Sequence, residues 1–139
     1  LAELGRPAVL GAQEEAPARD LFVAYLDRDD AVALVGELDG QVAGFLDMEF
    51  RRRLNFTSAQ AWIPDLVVSE DHRSRGVGAA LLARAEELAR ERGCFAMSLE
   101  SASWRTRAHP FYLRQGWKDT GKSFTRVLDD AVWPPAPRP

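Results

Sequence analysis

Between Glu70 and Leu82 the chain reads EDHRSRGVGAALL. His72, Arg73 and Arg75 stand with Gly76 and Gly78 directly ahead of a run of helix formers. A helix start leaves its opening amides without internal partners and carries the positive end of the helix dipole. Glycines let an anion approach that backbone closely, and arginines add charge and donors. The stretch is expected to be a loop that holds an anion, and a phosphate or pyrophosphate meets its requirements. The plainer alternative is a solvated basic turn before an ordinary helix.

The flanking segments place this loop. SAQAWIPDLVVS (58–69) reads as a strand leading into it. Pro64 cannot donate to a ladder, so a bulge or an unpaired edge is expected there. Behind the loop, Val77, Leu81, Ala85, Leu88 and Ala89 form the apolar stripe of a helix over 77–92, stopped by Gly93. Upstream, Leu21, Phe22, Tyr25 and Leu26 are at helical spacing and predict a helix from Pro17 to about Arg28. AVALVGEL and QVAGFLDMEFR are strands joined by an Asp39-Gly40 hairpin turn. LAELG at the start reads as a helix end. CFAMSLES reads as a strand buried on both faces. A helix follows around RAHPFYLRQG, with Thr106 as N-cap, Pro110 in the first turn and Gly116 as its stop. WKDTG and SFTRVLDD read as two short final strands, and WPPAPRP as a proline-rich tail over 131–139. The order describes one mixed α/β domain over 1–130.

The loop excludes two common phosphate binders. A Walker loop needs Lys-Ser/Thr where Ala79-Ala80 stand. A Rossmann loop needs a third glycine where Leu81 stands. Instead, Arg73-Ser-Arg-Gly76-Val-Gly78 resembles the Arg/Gln-x-x-Gly-x-Gly/Ala signature of the GNAT superfamily of N-acetyltransferases. DLVVSEDHR resembles that family's fourth strand. AHPFYLRQGW, 108–117, resembles its second signature, Ala-x-x-Phe-Tyr-x-x-x-Gly-Phe, at the right separation. The resemblance covers roughly residues 1–130 and is strongest to small bacterial members, some of which acetylate aminoglycosides or aminoalkylphosphonates. Arg105 departs from the pattern, since many members have Asn there, and the family's first strand is not seen ahead of Leu1.

The resemblance implies a mixed, mainly antiparallel central sheet flanked by helices and splayed between the fourth and fifth family strands. It implies acetyl-coenzyme A as cosubstrate. Arg73, Ser74, Arg75, Gly76, Val77, Gly78 and Ala79 would hold its pyrophosphate. The backbone of Leu66, Val67 and Val68 would pair with its pantetheine arm. The implied reaction is direct transfer of an acetyl group to a primary amine. The alternative is a binding module that keeps acetyl-coenzyme A without catalysis.

Acetyl transfer needs a neutral amine, a stabilised oxyanion and a proton for the departing thiolate. Tyr112 in the second signature is the expected proton donor, since phenol and thiol have reference pKa values of ~10 and about 8.5. On periodicity alone it would be a core aromatic. A backbone amide near Val67 would meet the oxyanion. Asp65, Glu100 and Glu49 compete for the role of base, each equally readable as a substrate anchor or a solvated carboxylate. Cys94 reads as a packed small residue, and Trp62, Trp104 and Trp117 as core or interface aromatics. His72 and His109 supply too few ligands for a metal.

Composition narrows partners and location. The chain has 139 residues, a net charge of −3 and one cysteine. The charge argues against a nucleic-acid binder, and the lone cysteine excludes an intramolecular disulfide. No apolar run is long enough for a bilayer and no signal peptide is visible, so a cytoplasmic location is expected. The chain begins at Leu1 rather than Met, so preceding residues are expected to be missing. Small members of the resembled family are often dimers, which leaves a homodimer open. The expected acceptor is a small cationic amine, drawn by Asp47, Glu49, Asp65 and Glu100. The run Arg51, Arg52, Arg53 would instead favour an amine that also carries an anion.

Overall fold

The computed structural model describes residues 12–129. The LAELG helix end and the WPPAPRP tail lie outside the described residues. The chain divides into two compact units, whose boundary in sequence falls between Leu99 and Glu100.

The first unit is a four-stranded sheet with two helices. Helix α1 (Ala12–Leu26) leads into strands β1 (Ala31–Leu38), β2 (Gln41–Arg51) and β3 (Gln60–Val68). Helix α2 (Val77–Glu91) and strand β4 (Ala96–Leu99) follow. The strand order is β1-β2-β3-β4. The first three strands pair antiparallel and β4 joins β3 in parallel, so the sheet is mixed as expected. Asp39 and Gly40 close the β1–β2 hairpin with φ of 53° and 76°, the left-handed pair that a primed two-residue turn requires.

Period-two alternation sorts the sheet into two faces. Leu46, Met48 and Phe50 of β2 are buried, as are Ala61, Ile63 and Leu66 of β3 and Val77, Leu81, Leu82, Ala85 and Ala89 of α2. Leu82 adds to the stripe expected on α2, while Leu88 is only half-buried. Truncating a fully buried residue such as Leu46 to Ala costs about 2–5 kcal/mol, a large part of a domain's net stability. Helix α2 fits this closely because β1 and β2 present glycines to it. A Cβ on Gly36 would meet Val77 Cγ1 at 2.6 Å, and one on Gly44 would meet the same atom at 2.9 Å.

A bulge interrupts β3 at the expected place. Asp47 pairs with Asp65 and Glu49 with Trp62, so Ile63 and Pro64 together oppose Met48 alone. The bulge shifts the alternation by one: Ala61 and Ile63 face the core before it, Leu66 after it. The parallel ladder runs from Gln60–Ala96 to Ile63–Leu99 and ends there, while β3 continues to Val68. Strand β4 ends with the ladder at Leu99, so the backbone of β3 past Ile63 is not paired by it.

Two sequence expectations in this unit change. Helix α1 begins at Ala12 rather than Pro17, because the AQEEA run consists of good helix formers, and Pro17 lies inside it. Leu21, Phe22 and Leu26 of this helix are exposed, and it meets the sheet through Tyr25, whose hydroxyl donates to Met48 O at 3.4 Å, and through Phe22 against Phe45. Strand β4 spans only Ala96–Leu99 and is half-buried throughout, because it is the terminal strand of the sheet.

The second unit contains helix α3 (Ala108–Arg114). Its N-cap is Arg107 rather than Thr106, which still leaves Pro110 in the first turn, where no amide hydrogen is needed. Gly116 follows it with φ 86°. Among the described residues the two final strands do not form: 117–129 carries no ladder, and Phe124 and Leu128 are exposed. A two-stranded pairing with no covered apolar face does not hold itself together. No described helix is long and apolar enough to cross a membrane.

Candidate active site

The anion loop has the geometry its sequence implies. After Val68 the chain makes a short helical turn over Glu70–His72, and Arg73 is extended. Ser74 and Gly76 are left-handed, with φ of 62° and 85°. Gly76 is the N-cap of α2, no side chain caps that helix, and no acidic residue stands in its first turn. The first intrahelical bond runs from Ala80 N to Gly76 O at 3.0 Å. The amides of Val77, Gly78 and Ala79 are therefore the opening donors, at the positive end of the dipole. Such a start, with cations beside it and no capping acid, fits a diphosphate.

The flanking cations are held by the protein. Arg73 Nε donates to Val68 O at 3.3 Å and Arg73 Nη1 to Glu70 at 3.4 Å. Arg75 Nη2 donates to Asp39 Oδ2 at 3.1 Å. The contact of Gly36 and Gly44 with Val77 fixes how near α2 begins to the sheet. Leu66, Val67 and Val68 are thus brought together with Arg73, Ser74, Arg75, Gly76, Val77, Gly78 and Ala79 on one strand, loop and helix.

Carboxylates gather on the sheet face opposite α2. Asp47 and Asp65 are cross-strand partners just past the bulge. The backbone N–H of Asp65 donates to Asp47 Oδ1 at 2.8 Å. Burial first, then the charge of Asp65 and more weakly that of Glu49, push the Asp47 carboxyl up to about 7, against the opposing hydrogen bond from Asp65. Burial, reinforced by Asp47, Glu49 and Asp65, also holds the Tyr25 phenol well above its ordinary value, with Arg28 opposing. Glu49 accepts from Arg28 at 2.6 Å, and Arg28 also grips Asp30. Arg51 lies over the Trp62 ring at 3.3 Å from its centre. Asp47 was expected only as one of several acidic residues around an acceptor. Its distinction comes from burial and the bulge, which no local pattern reveals.

Glu100 and Tyr112 belong to the second unit. Glu100 is exposed directly after β4. Tyr112 is half-buried on α3, with Phe111 and Trp117 ring centroids at 5.3 and 6.2 Å. Burial raises the Tyr112 phenol above its ordinary value, and Arg105 opposes that shift. The phenol thus keeps its proton at neutral pH but is a weaker acid than free tyrosine. His109 Nε2 lies 3.0 Å from Ala102 O, positioned to donate to that carbonyl. Burial pushes the Cys94 thiol up, with Arg92 opposing, so it is no activated nucleophile. Among the described residues no three His, Cys, Asp or Glu converge as a metal site would require.

Comparison with known proteins gives a consistent result. The acetyltransferase (GNAT) family model matches residues 3–117. An aminoalkylphosphonate N-acetyltransferase of Salmonella typhimurium is 34% identical over 110 residues, covering 79% of this chain and 71% of that protein. An aminoglycoside N(6')-acetyltransferase type 1 of Stenotrophomonas maltophilia is 27% identical over 107 residues, covering 75% and 70%. The chain spans about half the length of several further curated relatives it matches. Among solved structures, AAC(6')-Iy with the bisubstrate analogue CoA-S-monomethyl-acetylneamine superposes with a TM-score of 0.73 at 21% identity, covering 86% of this chain and 82% of that one.

Proposed function

Because the chain belongs to the GNAT family of acetyltransferases, we propose that it transfers an acetyl group from acetyl-coenzyme A directly to a primary amine of a small molecule. The observation that carries this is the uncapped start of α2 at Gly76, reached from β3 through a left-handed Ser74 and flanked by Arg73 and Arg75. The opening amides of Val77, Gly78 and Ala79, with the Arg73 and Arg75 side chains and Ser74, hold the pyrophosphate. The backbone of Leu66, Val67 and Val68 takes the pantetheine amides. Its place past the end of the β3–β4 ladder supports that role. An amide near Val67 stabilises the oxyanion.

Bound acetyl-coenzyme A supplies an activated acyl carbon and a good leaving group. The chain's own task is to move protons around it. Tyr112 protonates the departing sulfur, and its raised phenol makes this transfer uphill, so it acts as the carbon–sulfur bond breaks rather than before. Asp65 and Glu100 draw and orient the ammonium form of the acceptor. The acidic face formed by Asp47, Glu49 and Asp65 supports a cationic amine. Arg51, Arg52 and Arg53 are each engaged, by Trp62, Thr57 O and Gln60, which argues against a free anion site there.

The test is release of free thiol from acetyl-coenzyme A with a panel of polyamines, aminoglycosides, amino acids and aminoalkylphosphonates, beside calorimetry with coenzyme A. Turnover with a cationic amine is expected. Absence of coenzyme A binding would remove the reading. A preference for aminoalkylphosphonates, lost on neutralising Arg51 to Arg53, would replace the acceptor class.

A further inference from the structure

The Asp47–Asp65 pair has a property that the expected bases lack. The Asp47 carboxylate is anchored on one oxygen by a backbone donor, the N–H of Asp65 at 2.8 Å. The backbone N–H of Asp47 itself also supports the carboxylate. A carboxylate held by backbone donors can take a proton without losing its place. Its position is set by the bulge. Ile63 and Pro64 against Met48 bring Asp65 opposite Asp47 just past the last β3–β4 pair, Ile63–Leu99. The carboxylate therefore stands beside the strand segment Leu66–Val68 proposed to receive the pantetheine arm.

The charges that act on Asp47 come from its own strand and from β3. Tyr25 of α1 is coupled to it by charge, Arg28 after α1 reaches Glu49, Glu49 and Arg51 share its strand face, and Asp65 faces it from β3. Its partner on β1 is Ala33, which carries no charge. Arg28 is taken by Glu49 and Asp30, and Arg51 by the Trp62 ring. Neither cation neutralises Asp47, while Asp65 crowds it with like charge.

We propose that Asp47 is the proton acceptor for the incoming amine, held in place by the backbone of Asp65; this rests on the acetyl-transfer reading above. The acceptor arrives as an ammonium and gives one proton to Asp47, which becomes a neutral carboxylic acid. The neutral nitrogen attacks the thioester carbon. A carbon–nitrogen bond forms and the carbon–sulfur bond breaks. The second proton leaves the nitrogen as the tetrahedral adduct collapses, the thiolate is protonated, and Asp47 returns its proton to water. One proton is released per turnover. A carboxyl that titrates near neutrality suits this work, because it is ionised at operating pH yet basic enough to accept. Asp65 provides the backbone clamp and the neighbouring charge.

The test combines Asp47→Asn with a titration of the parent. Asn keeps an oxygen that accepts from Asp65 N–H, so the fold and the clamp survive. Coenzyme A affinity should be unchanged, while kcat/KM for the amine falls on the order of 10²-fold. The acid limb of the parent profile, centred near neutrality, should vanish in Asp47→Asn and move to lower pH in Asp65→Asn. Retention of the same acid limb by Asp47→Asn, with coenzyme A bound normally, overturns the assignment alone. Failure of the parent to bind acetyl-coenzyme A overturns the transfer reading and this proposal with it. If Asp47→Asn does not fold, carboxyl-carbon NMR of the ligand-free parent decides: a midpoint near neutrality for Asp47 supports the role, and one at the ordinary aspartate value overturns it.

Discussion

Arg75 and Asp39 form an ion pair at 3.1 Å, which ties the anion loop to the β1–β2 hairpin turn. The pair is exposed, so it contributes little to folding. It matters because one of the two cations proposed for the pyrophosphate is occupied by a competitor. Removing Asp39 as Asp39→Asn should tighten coenzyme A binding by about two- to fivefold, the scale of an exposed pair. Calorimetry at low salt measures this, and the gain should shrink at high salt. Unchanged or weaker affinity would mean that Arg75 does not reach the phosphates.

Gly36 controls the approach of α2. A Cβ there would meet Val77 Cγ1 at 2.6 Å. Gly36→Ala should destabilise by about 1–3 kcal/mol through overpacking and weaken coenzyme A binding as the loop amides shift. Adding Val77→Ala removes the clashing methyl. The double variant should be more stable than the sum of the single effects predicts, and should recover affinity. Strict additivity in denaturant melts would show that the helix does not rest on this contact.

Tyr112→Phe should bind coenzyme A normally and lose turnover on the order of 10²-fold. Because burial raises the Tyr112 phenol, a rate that needs its proton should show no alkaline fall below about pH 10. A single-turnover rate equal to the parent's would assign the sulfur's proton to water.

Asp47 also predicts a pH dependence of stability. Its folded value of about 7 lies above the ordinary 3.8, so folding takes up a proton between the two. The contribution is fully present below about 3.8 and is lost as pH rises through about 7. Asp47→Asn removes that loss. The Tm of the variant relative to the parent should therefore rise between pH 4 and pH 8 on the scale of a few degrees. A constant difference across that range would show that the carboxyl is not perturbed.

Elements whose signals are local were legible in the sequence. The Asp39-Gly40 turn, the Gly93 and Gly116 stops, the α2 stripe and the loop follow from residues a few positions apart. Pro64 announced the bulge because a missing N–H is visible in one letter. The site was legible only in part. That Asp47 differs from Glu49 and Glu100 depends on a cross-strand partner 18 positions away, and on burial by another element. The burial of β4 was overestimated because an apolar run does not tell a central strand from a terminal one. The final strands failed for a related reason: FTRVL has the composition of a strand, but a ladder needs a partner, and composition names none.

The extra residue in β3 also separates two things that alternation normally ties together. Remove Pro64, and Ile63 and Leu66 still face the core, because the pairs on either side already fit an unbroken ladder. Hydrophobic matching would be satisfied and the chain would fold, with a straighter strand. What would change is the course of β3 past Ile63, the stretch proposed to receive the pantetheine arm. Such a deletion should leave a melting transition intact while coenzyme A binding, read by calorimetry, disappears. Selection for stability alone would have no reason to keep this residue. Its retention would have to be explained by ligand binding, and the proline then acts as a spacer inserted into an otherwise complete strand.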